Sequence, residues 1–151
     1  HIEFQTGVTS MRMTIDGSGR VTMPNQPAFH TFGSQSYTAR SNPVDYTSVQ
    51  FNIGSHYSNS TYRFTAPVAG TYHFTAGAIA AYENVAAGGI MIVKNGSTRM
   101  ARSYQATQQR SRNCAVTLSL SANDYIEVWC EGQTTLYLGD GYGYFSGHLI
   151  G

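Results

Sequence analysis

The sequence predicts an all-β protein, a sandwich or jelly roll of short antiparallel strands, on three observations. First, the composition suits half-buried pleated surfaces and turns: 11 Tyr, 7 Phe and 16 Gly in 151 residues, with abundant Thr and Ser. Second, period-two alternation recurs in short runs punctuated by Gly, Pro and Asn. Third, no segment sustains a helical period, so the elements are strands throughout.

The stretch from Tyr62 to Ala80 organises the rest. Phe64 and Ala66 alternate with Arg63 and Thr65; Tyr72 and Phe74 alternate with His73 and Thr75. Pro67-Val68-Ala69-Gly70 lies between them, and Pro with Gly lets the chain turn. The expectation is a strand–turn–strand unit. Before it, Gln26 to Phe32 opens the globular part, Gly33 to Tyr46 reads as loop, and Thr47 to Ile53 is a strand with Val49, Phe51 and Ile53 on one face. After it, Ile90-Met91-Ile92-Val93 is apolar on both faces, which calls for cover by a second sheet and a neighbouring subunit. Lys94-Asn95-Gly96-Ser97 is an Asn-Gly hairpin turn, from which Arg99 to Ala106 returns. Val116, Leu118 and Leu120, then Ile126 and Val128, read as a last hairpin turning near Ser121–Asp124, and Phe145 to Ile150 closes the chain. Residues 1–26 differ. Ile2-Glu3-Phe4, Met11 to Ile15 and Val21 to Pro24 are pieces too short to bury a core alone, though several copies wound together would. The expected division is a β-structured fibre or neck over 1–26 and a head over 27–151.

The length suffices for one domain with a sizeable core. Charged residues make up 11%, with a formal net charge of +1, which points to neither a nucleic-acid nor an acidic partner. No apolar run reaches membrane-spanning length. The start at His1, without Met or a signal-like stretch, reads as the C-terminal part of something longer.

Six ordered stretches resemble the C1q globular-head domain, a relative of the tumour necrosis factor fold. They are Pro27-Ala28-Phe29; Phe51-Asn52; Tyr57 with Phe64 to Phe74; Lys94 to Gly96; Leu118 to Val128; and Phe145 to Leu149. Tyr62 stands where a Gly is usual, Asn123 replaces the Gly before Asp124, and His148 takes a usually apolar place. The resemblance implies a jelly roll of about ten antiparallel strands in a compact homotrimer, crowning a rod that enters beside the N-termini. There is no Gly-x-y repeat for a collagen rod. Instead Met11 to Val21 resembles a segment common in tail-fibre and other structural proteins of bacteriophages and prophages.

If the strands after Tyr62 run strictly up and down, the tight turns at 67–70, 95–98 and 121–123 share one end with the C-terminus. The longer loops at 82–87, 105–113 and 132–142 then share the other, which the resemblance, with its rod beside the C-terminus, implies is the free apex. Recognition usually sits on such loops. They offer Tyr82, Glu83, Asn84, Gln108, Gln109, Arg110, Arg112, Tyr137, Asp140 and Tyr142, aromatics beside amides and Arg that suit a glycan or protein surface. Taken singly, each reads better as a plain solvated loop residue; only as a set do they suggest a binding surface.

Other constellations carry less. A three-residue turn would set Cys114 opposite Cys130; a disulfide and two buried thiols are both open, and assembly in a reducing cytoplasm favours thiols. Histidines 30, 56, 73 and 148 have no metal-ligand spacing, although a three-fold axis would multiply one into three. Calcium binds several C1q-like proteins near the apex through clustered acids; here Asp140 has no acidic neighbour, so no cofactor is expected and calcium near Asp140 is a weak alternative. Asn59-Ser60-Thr61 and Asn95-Gly96-Ser97 are sequons of the kind chance supplies in a Ser/Thr-rich chain. Tyr125 and Trp129 face away from the hairpin core and suit a subunit contact. No nucleophile elbow, paired carboxylates, phosphate loop or zinc signature appears, so no enzyme is expected. The expected function is a trimeric receptor-binding and structural head at the C-terminal tip of a virion fibre, contacting host-surface glycan or protein, without nucleic acid or membrane insertion. The alternatives are a secreted C1q-like ligand for a protein receptor and a purely structural trimerisation cap.

Overall fold

A computed structural model of the chain describes residues 2–6, 10–34, 37–38, 42–80, 87–106, 110–132 and 135–151. The described residues form strands and turns without a helix. Residues 2–22 make their own antiparallel sheet from β1 (Ile2–Thr6), β2 (Ser10–Ile15) and β3 (Val21–Thr22). Asp16 closes the turn between β2 and β3. Its carboxylate accepts from the backbone N–H groups of Ser18 and Arg20, at 2.8 and 3.0 Å, and from the Arg20 side chain at 2.6 Å. Those bonds, the Arg20 N–H first, hold the Asp16 pKa below its usual value. Three short strands cover little, and Ile2, Phe4, Val21 and Met23 stay exposed.

The head is a sandwich of two sheets. One carries β11 (Thr98–Gln105), β10 (Gly88–Lys94), β13 (Tyr125–Gly132), β8 (Arg63–Thr65) and β7 (Tyr57–Ser58), in that order. The other is centred on β9 (Gly70–Ala80). On one side β9 pairs with β12 (Ser111–Leu120). On its other side it pairs with β15 (Tyr144–Leu149) and, further along, β14 (Leu136–Tyr137). β15 continues to β4 (Ala28–Phe32) and β6 (Ser48–Ile53), and β14 to β5 (Tyr37–Thr38).

The last hairpin expected from the sequence is instead an arch, and so is the strand–turn–strand unit of 62–80. β8 and β9 lie in opposite sheets, as do β12 and β13. The corners cross the sandwich side by side and tie to each other: Ala66 N–H donates to Asp124 at 2.8 Å and Asn123 N–H to Ala66 at 2.8 Å. Alternation fixes which side chains face inward, and Phe64, Tyr72 and Phe74 do so whichever strand pairs with which. The core is aromatic. Phe29 lies 5.0 Å from Tyr57, 5.1 Å from Phe64 and 4.9 Å from Phe145, ring centre to ring centre. Gly147 keeps Phe29 and Phe74 in place, because a Cβ there would run into both rings.

Three further expectations change. The 33–46 stretch is not loop alone: Val44 N–H bonds to Val128 at 2.7 Å, and Val44 and Tyr46 are fully buried. Residues 88–93 are buried within one chain, so no neighbouring subunit is needed. Met91 is flanked in the ladder by Arg102 and Trp129, and Val93 by Arg99 and Glu127, side chains long enough to lie over it. By contrast Val49, Phe51 and Ile53 stay exposed, beside Phe32. The Asn-Gly turn forms as expected, with Asn95 at φ 52° and Gly96 at φ 66°.

Candidate functional site

The up-and-down reading of the strand ends holds. Gly70 pairs with Leu120, Tyr125 with Thr65 and Lys94 with Ile126 at one end, where Leu149 also bonds to Pro27. At the other end Ala80 meets Leu136, Ser111 meets Ile79, and Gly88 lies between Gln105 and Gly132. The long loops leave from this second end.

There the structure assembles part of the expected set. Tyr137 ends β14, and its hydroxyl donates to Asp140 Oδ2 at 2.6 Å. Asp140 and Gly141 take positive φ, 52° and 80°, and this turn returns Tyr142 to within 6.1 Å of the Tyr137 ring. Tyr142 is about half exposed. Two tilted phenol rings, one of them bonded to a carboxylate, present apolar faces and hydrogen-bonding edges together. Arg110 stands across β9, its Nε donating to the Ala80 carbonyl at 3.0 Å and its own carbonyl accepting from Ala80 at 2.8 Å.

Arg112 is a correction. It belongs to β12, opposite Ala78, and its side chain is fully buried, because β12 begins at Ser111 and turns this position inward. Burial lowers its pKa from the usual arginine value. It supports the apex from beneath and is no surface contact. Tyr82, Glu83, Asn84, Gln108 and Gln109 lie outside the described residues. In the turn 139–143 Asp140 is the only carboxylate, and it already accepts from Tyr137; calcium takes about six to eight oxygens, so these donors do not fit it. Among the described residues no group of three or more His, Cys, Asp and Glu could hold a metal. Cys114 and Cys130 carry free thiols on opposite sheets, and burial pushes the Cys114 thiol up to about 11.

The two outer faces differ. Tyr125 and Trp129, expected at a subunit contact, are bound into the five-stranded sheet. Glu127, almost fully buried, accepts from Arg63 at 2.7 Å and from Trp129 Nε1 at 2.9 Å, while Arg63 stacks over Tyr125 at 4.2 Å. In the other sheet β4, β6, β9, β12 and β15 contain no Lys, Asp or Glu, and their one Arg, Arg112, points inward. Its outer face presents Phe32, Phe51, His30, His73 and His148 instead. Sequence reasoning missed this face, although the missing charges were there to be counted.

The sequence model of the C1q domain family matches residues 28–150. The chain belongs to the C1q domain family. The globular domain of zebrafish complement 1qA protein is similar in structure, with a TM-score of 0.65 and 20% identity, over 83% of this chain and 98% of that one. Eiger TNF from S. frugiperda is similar with a TM-score of 0.64 and 13% identity, over 84% and 94%. No curated protein sequence matches. C1q-like and TNF-like domains are typically homotrimeric, non-enzymatic binding modules found outside cells.

Proposed function

We propose that this C1q-like chain is a homotrimeric, non-enzymatic head on a phage or prophage fibre, or another virion appendage, that touches the host surface through its apical loops. The uncharged outer face of the β9 sheet carries this reading. A sheet face with exposed Phe32, Phe51 and Ile53 and no charged side chain is built to be covered, and a second and third copy of the same chain cover it in a closed ring. Three apices then act together, so weak contacts add through effective concentration.

The contacts would come from Tyr137, Asp140, Tyr142 and Arg110, together with Tyr82, Glu83, Asn84, Gln108 and Gln109. The ligand would be a host glycan or protein, with no cofactor, nucleic acid or membrane insertion. The virion placement rests on Met11 to Val21 and its resemblance to tail-fibre segments. A secreted ligand is favoured instead by the family's usual extracellular setting. Further Met-Arg-Met-x-Ile-Asp segments upstream would support the virion; a signal peptide with collagen or coiled-coil repeats would support the ligand.

Solution mass by light scattering, with and without chelator, tests the assembly. Three copies with chelator present are expected, and a monomer sinks the multivalent head. Replacing the three apical loops should then abolish host attachment while leaving the mass unchanged. Unchanged attachment leaves a structural cap.

A further inference from the structure

On the outer face of the β9 sheet, His73 of β9 and His148 of β15 are direct cross-strand partners. Their ring centres lie 5.7 Å apart, tilted by 54°. His73 Nδ1 lies 2.9 Å from Thr117 Oγ1 on β12, the neighbouring strand. When Nδ1–H donates to that oxygen, the lone pair sits on Nε2, free for a ligand. His148 is exposed beside it and shares a shallow groove with His30, Phe51 and Ser146. No lysine stands on these strands to repel a cation, and no carboxylate to claim the imidazoles.

We propose that His73 and His148 form a two-imidazole clip for a divalent transition-metal ion such as zinc, nickel or copper. A metal–nitrogen bond of about 2.0–2.1 Å puts each ring centre about 3.2 Å from the ion, so a near-tetrahedral pair has ring centres about 5 Å apart. The present spacing of 5.7 Å is close to that value. Imidazole suits zinc, copper and nickel, whereas magnesium and calcium want oxygen. Thr117 is the outer partner that fixes the tautomer and ring plane of a metal-binding histidine. Both imidazoles come from one chain, and the clip does not depend on the apical binding role. It lies on the face assigned above to contact between copies, so a trimer holds three such ions at its subunit contacts, where the neighbouring copy or water completes the coordination.

The test is calorimetric titration of the full chain with nickel chloride and, separately, zinc chloride at pH 7.5 and pH 5. One ion should bind per chain at pH 7.5, and binding should fail at pH 5, where protons compete for the imidazoles. His73→Gln and His148→Gln should each abolish it, Thr117→Val should weaken it about tenfold, and His30→Gln should leave it unchanged. Each variant's circular dichroism reports folding, and its mass reports assembly separately. A parent chain that takes up neither metal overturns the clip. So does a His73→Gln/His148→Gln double variant that binds like the parent.

Discussion

The two sheets of the sandwich solve the problem of an outer face in opposite ways. The five-stranded sheet carries Arg63, Lys94, Arg99, Arg102, Glu127 and Glu131, and closes four of them into pairs: Arg63 with Glu127 at 2.7 Å and Arg102 with Glu131 at 2.6 Å. Lys94 reaches Asp124 in the adjoining turn at 2.7 Å. That face is finished within one chain and meets water as it stands. Among the described residues the β9 sheet has no such network of ions, and threonines, serines, histidines and exposed phenylalanines stand among its outward residues. Solubility is supplied on one side and withheld on the other, as the proposed contact between copies through the second side requires.

The sharpest way to break this comparison is to move a charge. Phe51→Glu puts an unpaired carboxylate on the face to be covered, at a cost of several kcal/mol per buried ion. The trimer should fall to monomer by light scattering with the fold retained by circular dichroism. Arg99→Glu, on the finished face, should leave the mass unchanged. Equal responses would erase the distinction between the faces.

Next is the network itself. Glu127→Ala strands Trp129 Nε1 and one side of Arg63, and should cost about 2 kcal/mol of stability, read as a lower denaturation midpoint. The smallest effect is that of acid on the base turn. The Asn95 amide first, then Lys94 and the Ser121 N–H, hold the Asp124 carboxyl at about 2, below its unfolded value of 3.8. Its contribution is therefore complete above about pH 4 and lost as pH falls toward 2. Midpoints measured between pH 5 and pH 2 should drop less in Asp124→Asn than in the parent.

Much of this was legible in the sequence. Period two named the inward residues Phe64, Tyr72, Phe74, Ile126 and Val128, and the Asn95-Gly96 pair named a turn. It did not name partners: a run, a corner and a second run fit a hairpin or an arch equally, and only the opposite sheet decides. The departures from the family pattern also acquire a cause. Tyr62 and Asn123, both where Gly is usual, sit at φ 55° and 72°, a left-handed backbone that glycine adopts without strain. His148 stands in an apolar place because it faces out, toward His73. At the apex end the structure brings Tyr137, Asp140 and Tyr142 together, but Arg112, expected in a loop, is the second residue of β12. Inward and outward positions alternate at every residue, so an error in where β12 begins decides whether an arginine touches a ligand or lies in the core.

The bond between Leu149 and Pro27 has a mechanical meaning. It places the start of β4 at the base of the head, with β15 running antiparallel beside it through five paired residues and β6 on its other edge through five more. A tether pulling on Pro27 away from the apex draws β4 lengthwise between its neighbours. The load falls on both ladders together, in shear, and no single hydrogen bond can be peeled off ahead of the rest.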